Sequence, residues 1–535
     1  MKKFKSCLAL ILVACLILAL LAACSKSPEE GENQGNTGNN SSQNNTNTNT
    51  EQNPNDNASE GNEEDLVDLV FNFYCATTFT EEGVQRVQDE MNKILNDKIG
   101  VNVELRPFAL AEYRQTTSLA IAGGEKLDVC CLFGGVCSFS SMMSSNQLQD
   151  IAPYLNTYAA DTLEVVKDTI GAYSVNGGIY AVPNHRNFAA NLYVVANKAT
   201  LESLGLLDQF YAMDNWADYE EIMQIVKDNT DMWPIGGQKY VMWTDKQPIT
   251  WSSDSFEYDV YDTLGDSMNI IHADIDTAEV CSVFDVEGTK WMMQKAKKWM
   301  DAGFAYPDSY LTQESNQALL GSETIFSLII HSELGIEANW SARAGLPVAC
   351  AQICETPKLV STNTIETGSM VVPVTCDDPE AAVRFINEFY TNPDIVNLFD
   401  WGVEGFDYVI NENGEAAYPN GDSSVGYHSA DFAGGNFFLA LPWEGTGADY
   451  REKAAEANAK AIVSPFLGFV PDGTNLETYA ASIAAVYDEN VAYLNGGFYS
   501  DEGYQEMMEK FESVGLREYI AEYQTQLDAW IAANK

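Results

Sequence analysis

Positive charge is what this chain has least of. Lysine and arginine together number 29 against 78 aspartates and glutamates, leaving a formal net charge of −49 at pH 7. No basic stripe exists to neutralise phosphates, which argues against nucleic acid as a partner and disfavours anionic membrane surfaces. The carboxylates read instead as a solvated surface. Histidine is nearly as scarce: only His185, His272, His331 and His428 occur, none at metal-ligand spacing. No cysteine stands in a CxxC pair or beside histidines at zinc-finger spacing. Catalytic signatures are missing too, with no GxSxG elbow, HExxH helix, phosphate loop ending in Gly-Lys-Ser/Thr, or GxGxxG turn. Asn411-Glu412-Asn413-Gly414 imitates part of a calcium loop, but the first ligand position would be Val409, which carries no side-chain oxygen. Neither a metal nor any other cofactor is expected.

Long hydrophobic runs are scarce as well. Residues 8–23 form one, short for a membrane span but right for the apolar part of a signal peptide, behind the positive Lys2, Lys3 and Lys5. It ends in Leu21-Ala22-Ala23-Cys24, which resembles the bacterial lipobox and implies cleavage before Cys24 and attachment of lipid to its thiol. Residues 25–65 are Asn, Gly, Ser, Thr and Glu with almost no apolar side chain. Such a segment cannot bury enough surface to fold and reads as a disordered tether with an r.m.s. reach of roughly 35 Å. A lipid with a tether behind it places the rest at a cell membrane, on the extracellular face, in the manner of a Gram-positive lipoprotein.

Beyond the tether the chain has ample material for cores, the whole being 46% apolar and 11% aromatic, and its length favours about two to four domains. Residues 121–135, IAGGEKLDVCCLFGG, are the clearest unit. A helix over 111–122 is stopped by Gly123-Gly124, and the apolar run 127–133 reads as a strand buried on both faces of a parallel sheet. It ends at Gly134-Gly135, where open α/β sheets place their ligand crevice. Leu69, Phe71 and Phe73 alternate as an earlier strand that ends at Tyr74. Thr78 with Glu81 makes a capping box for a helix carrying Val84, Val87, Met91, Ile94 and Leu95, and Val101, Val103 and Leu105 give the next strand. Strand–helix–strand–helix–strand with short connections is a parallel α/β lobe. Later come a helix opened by Asp378-Pro379, a hairpin turning at Asn413-Gly414, and a mostly helical end from about 475. The cysteines beyond Cys24 lie mostly in apolar runs, which suits buried free thiols and an anaerobic source.

Several stretches in this order resemble the extracellular solute-binding proteins of bacterial ABC importers, in the lipoprotein branch linked to oligosaccharide uptake. They are AIAGGEKLDV, GGIYAVPN, LYVVANK, NWADYEEIMQIVKDN, DDPEAAVRFINEFY and WGVEGFDY with the hairpin after it. The resemblance implies an α/β, two-lobed periplasmic-binding-protein-like fold with hinge strands and a cleft between the lobes. It divides the chain into a signal peptide at 1–23, a lipidated Cys24 and tether over 24–65, one lobe of 66–187 with 333–373, and another of 190–330 with 376–535. Crossings fall near Arg186, His331 and Val374. It implies a monomer that is not an enzyme: a small solute, most simply an oligosaccharide, is captured by hinge closure and delivered to an ABC permease. A surface glycoside-active enzyme using paired carboxylates, or a surface adhesin or sensor on the same fold, are the alternatives.

Sugar binding asks for aromatic faces against C–H patches and for planar amides or carboxylates against hydroxyls. Trp243, Trp251, Trp340, Trp401 and Trp443 lie in loop-like stretches and are the aromatic candidates. Asn184, His185, Arg186 and Asn187, just past the Tyr180–Pro183 crossover, are the polar ones, with Tyr74 next. The leader yields a first expected outcome. Cys24→Ala should leave the protein unlipidated, so that it no longer partitions into a detergent phase; unchanged partitioning would remove the lipid anchor.

Overall fold

The structure, a computed structural model, describes residues 66–534 apart from 189–190, 237–248, 252, 267, 333–334 and 355–358. The leader, Cys24, the tether and Trp243 lie outside the described residues. Two sheets carry the architecture. In chain order their strands are β1 (Val67–Tyr74), β2 (Val101–Phe108), β3 (Val129–Cys131), β4 (Asn191–Asn197), β5 (Trp233–Ile235), β6 (Ile325–Ser332), β7 (Val348–Cys354) and β8 (Met370–Val371).

The first sheet runs β8-β3-β1-β2. Phe71 of β1 registers with Leu105 of β2 and with Val129 of β3, both parallel, and β8 closes the edge antiparallel to β3. The strand expected over 127–133 is hydrogen-bonded as a strand only at 129–131, but the whole run is buried. The helix before it, Leu110–Gly123, ends where glycine was expected to end it, with Gly124 left-handed at φ 72°. The earlier helix, Glu81–Ile99, is capped by Thr80, whose hydroxyl accepts from Gly83 N. That corrects the capping box expected at Thr78: the backbone of Thr78 is taken up in a two-residue strand against His428. The hairpin at Asn413-Gly414 is present, between Val409–Ile410 and Ala416–Ala417.

The second sheet runs β7-β4-β6-β5, with β4 antiparallel to both β6 and β7. A third, antiparallel sheet of Ile249–Trp251, Tyr258–Asp262, Ile271–Asp274 and Val280–Ser282 extends this half. It is covered by the C-terminal helices Gly473–Tyr493, Asp501–Ser513 and Leu516–Asn534 through Ile271, Phe284, Met507, Phe511 and Tyr519.

The lobe boundaries differ from those expected. β7 hydrogen-bonds along β4, so 333–354 belongs to the second lobe, not the first. The helices Pro379–Thr391 and Pro393–Trp401 belong to the first lobe, not the second: Phe385 and Phe389 set their rings 5.5 and 5.6 Å from Phe71 in T-shaped contacts. His331 lies within β6 opposite Leu192, and Val374 bonds back to Gln147 in the first lobe, so neither marks a crossing. The chain crosses between Phe188 and Asn191, between Cys354 and Leu359, and between Ala433 and Phe466.

The first crossing is bound by several segments. Val182 exchanges backbone hydrogen bonds with Met370, and the hydroxyl of Tyr390 donates to Pro183 O at 2.8 Å. The amide of Asn184 donates to Thr367 O and to Phe432 O, both at 2.8 Å. A Cβ on Gly368 would lie 2.4 Å from that amide nitrogen, and Gly368 has φ +82°, so this position needs glycine on two counts. His185 pairs with the 435–437 strip, and Asn458 accepts from Phe188 N while donating to Arg186 O.

Among the described residues no helix is long and apolar enough to cross a membrane. Cys75, Cys130, Cys131, Cys137 and Cys376 are free and buried, and burial pushes the thiols of Cys75 and Cys137 up to about 11. The crossover gives the second expected outcome. Asn184→Ala leaves two buried carbonyls without their donor and should cost about 1–3 kcal/mol of unliganded stability, read as a lowered urea midpoint. An unchanged midpoint would deny the side chain its tying role.

Candidate functional site

Gly134 and Gly135, at φ 69° and 60°, turn the chain sharply away from the carboxyl end of β3. Beside this turn lies a cavity of about 700 Å³, the place expected from the strand–glycine pattern. One wall is first-lobe: the glycine turn, Arg114 from the helix Leu110–Gly123, and Glu366 from the helix Thr362–Glu366. The facing wall, at Gly265, Asn269 and Pro471, comes from the third sheet and the start of its helical cover. Arg186 reaches it from the crossover. The cavity is therefore bounded by both lobes and touches a segment that joins them.

Its electrostatics are set by three groups. Arg114 Nε donates to Phe133 O at 2.8 Å, holding the guanidinium against the glycine turn. Arg186 Nη2 donates to Thr364 O at 3.1 Å. Glu366 accepts from Phe139 N at 3.0 Å, and burial lifts its carboxyl to about 7 despite this bond and the nearby Arg114 charge. Among the described residues no cluster of histidine, cysteine, aspartate or glutamate could hold a metal ion.

A second feature adjoins the end of β1, the parallel neighbour of β3. The rings of Trp401, Tyr418, His428 and Trp443 form one group, with His428 4.5 Å from Trp443 and Tyr418 4.8 Å from it. Cys75, the residue after β1, contacts His428 O through its sulfur. The loop carrying Trp443 also meets the second lobe, since a Cβ on Gly445 would lie 2.9 Å from Cβ of Ala338. Burial lowers His428 to about 4, so this ring is neutral at pH 7.

The expected site residues are scattered among these features. Arg186 lines the cavity. Tyr74 is half-buried at its back, its ring 5.0 Å from that of Phe133. Asn184 and Asn187 are buried in the crossover. His185 stacks obliquely on Phe438, 5.0 Å away, and burial lowers it to about 4. Trp401 and Trp443 come together in the aromatic group, but Trp401 ends the helix Pro393–Trp401 rather than lying in a loop, and its Nε1 donates to Leu441 O. Trp251 is corrected more fully: it sits in a strand, wholly buried, 5.1 Å from Trp216. Trp340 is likewise in a helix, Ile336–Ala344, packed with Tyr193 and Ile330. Neighbouring glycine, proline and serine made both look like loop residues. Arg114, Glu366, Tyr418 and His428 were missed. Arg114 and Glu366 stand inside helices that no motif marks, and only the glycine turn they face was legible.

Comparison with known proteins bears on this arrangement. The sequence pattern of the family described as bacterial extracellular solute-binding protein matches residues 90–401, and a domain of unknown function, DUF3502, matches 465–532. A carbohydrate ABC transporter substrate-binding protein of Streptococcus pneumoniae serotype 4 is 23% identical over 455 residues, 83% of this chain and 87% of that one. The crystal structure of the N-glycan transport solute binding protein NgtS from Streptococcus pneumoniae superposes with a TM-score of 0.73 at 18% identity, covering 88% of this chain and 100% of that one. Its complex with Man1GlcNAc gives 0.64 at 19% identity, covering 87% and 99%. The fold is thus the two-lobed, periplasmic-binding-protein-like one. Because the family match runs through both lobes and takes in the turn, the crossover and Glu366, this chain belongs to the bacterial extracellular solute-binding proteins.

Proposed function

We propose that this protein is a lipid-anchored extracellular receptor that captures an oligosaccharide between its lobes and presents it to an ABC permease. The observation that carries the reading is the cavity beside Gly134-Gly135, whose walls come from both lobes and from the crossover between them. A ligand touching both walls binds the closed arrangement better than the open one, so occupancy and closure are the same equilibrium. The ring group of Tyr418 and Trp443 supplies half-buried aromatic faces next to the same sheet edge, of the kind that stack on sugar C–H patches. The relatives support the solute class, one described as a carbohydrate transporter component and one crystallised with Man1GlcNAc. The lipobox-like Leu21-Ala22-Ala23-Cys24 and the tether behind it support the anchor.

Thermal denaturation across a panel of oligosaccharides and peptides tests the reading. A cognate oligosaccharide at 100 times its dissociation constant should add about 2.7 kcal/mol of stability. Stabilisation by peptides and by no saccharide would overturn it.

Glu366 gives a separate expectation. Its folded pKa, about 7, lies above the ordinary carboxylate value of 4.5. Its contribution to stability is therefore fully present below pH 4.5 and is lost as pH rises through 7. Glu366→Gln should remove this dependence: relative to the variant, the wild type should lose about 2–3 kcal/mol between pH 5 and pH 8. Parallel melting curves for the two proteins over that range would show that the carboxyl is not held in a desolvated place.

A further inference from the structure

Resting on the oligosaccharide reading, we propose that the solute is an acidic sugar chain, one bearing a carboxylate or sulfate that Arg114 and Arg186 hold in the cavity beside Gly134-Gly135. Arginine is scarce in this acidic protein, and most of it is spent on carboxylates. Arg86 pairs with Asp407 at 2.7 Å, Arg451 with Asp431 at 2.8 Å and Arg517 with Asp285 at 2.8 Å. Arg114 departs from that habit. Among the described residues it makes no ion pair; its Nε is fixed by the carbonyl of Phe133, which leaves the two terminal nitrogens of the fork along the cavity wall. A Cβ on Gly134 would lie 3.8 Å from Arg114 Nη2 and 3.9 Å from Glu366 Oε1, so the glycine turn runs past both groups. Arg186 lines the same space, steadied at Nη2 by Thr364 O.

Two acids, Asp266 and Glu366, share the cavity with these arginines. Asp266 lines the cavity but is turned into its own loop, accepting from the backbone nitrogens of Met268, Ile270 and Ile271 and from the hydroxyl of Tyr519. Glu366 spends one oxygen on Phe139 N, and burial raises its carboxyl to about 7, so that it is divided between neutral and ionised forms at pH 7. In its protonated form it donates a hydrogen bond instead of repelling an anion. The cavity thus gathers two guanidinium groups in a protein of net charge −49. Low-dielectric walls focus their field. A guanidinium fork matches the two oxygens of a carboxylate or sulfate in bidentate geometry, with a charge-assisted bond that a neutral hydroxyl does not give.

Titration calorimetry on the folded protein, with trisaccharides matched in linkage, tests the assignment: galacturonic acid, O-sulfated galactose and neutral galactose forms. At least one acidic member should bind tenfold or more tightly than its neutral counterpart, and which one does so separates carboxylate from sulfate recognition. In Arg114→Gln the acidic-to-neutral preference should collapse about tenfold, and Arg114→Lys should recover part of it, which a purely packing role would not produce. Equal or tighter binding of the neutral form, or a preference untouched in Arg114→Gln, overturns the acidic assignment and leaves the oligosaccharide reading standing. Failure of all three forms overturns the acidic assignment, and the saccharide reading falls with it only where peptides alone stabilise the protein.

Discussion

One side-chain amide holds the middle of this molecule together. Asn184 stands where the chain prepares to leave the first lobe, and its two N–H groups reach carbonyls at 367 and 432, far apart in sequence and brought side by side here. The bond pair fits only because Gly368 has no side chain. Around it, the Val182–Met370 bridge, the Tyr390 hydroxyl and the bonds of His185 with Gly435 and Phe437 complete a knot of backbone segments. Arg186 leaves this knot beside the cavity, its Nη2 donating to Thr364 O two residues from Glu366.

The sequence made the local units legible and the long-range ones not. Alternation at Leu69, Phe71 and Phe73, and glycine at the end of the helix Leu110–Gly123, are properties of adjacent residues, and the structure reproduces them. Which lobe owns 333–354 depends on β7 finding β4 across some 150 residues of chain, a choice no local pattern encodes. The same holds for Phe385 and Phe389, whose amphipathic spacing was plain but whose partner, Phe71, was not. Tryptophan misled for a related reason: Trp251 and Trp340 sit near turn-forming residues, and a large ring packs from a strand or helix just as well.

The cavity joins what could be read with what could not. Its location was legible in the strand and glycine pair, because the end of a parallel strand exposes unpaired backbone that a ligand can meet. Its chemistry came from helix-borne side chains aimed at that turn. Glu366 and Arg114 are ordinary helix residues in the sequence, and become distinctive only through the enclosure that brings them to the same cavity wall.

The free thiols carry one more implication. Small exported domains commonly gain durability by cross-linking their chains, whereas the described cysteines here are free, with Cys75, Cys130, Cys131, Cys137 and Cys376 buried and Cys281 and Cys350 half-buried. In the folded state Cys75 and Cys137 are protonated and unreactive at any physiological pH. Once the chain opens, they revert to ordinary thiols of pKa about 8.5, free to oxidise to one another. Air would thus turn a reversible unfolding event into an irreversible one, and the protein's shelf life in oxygen is governed by how rarely it unfolds.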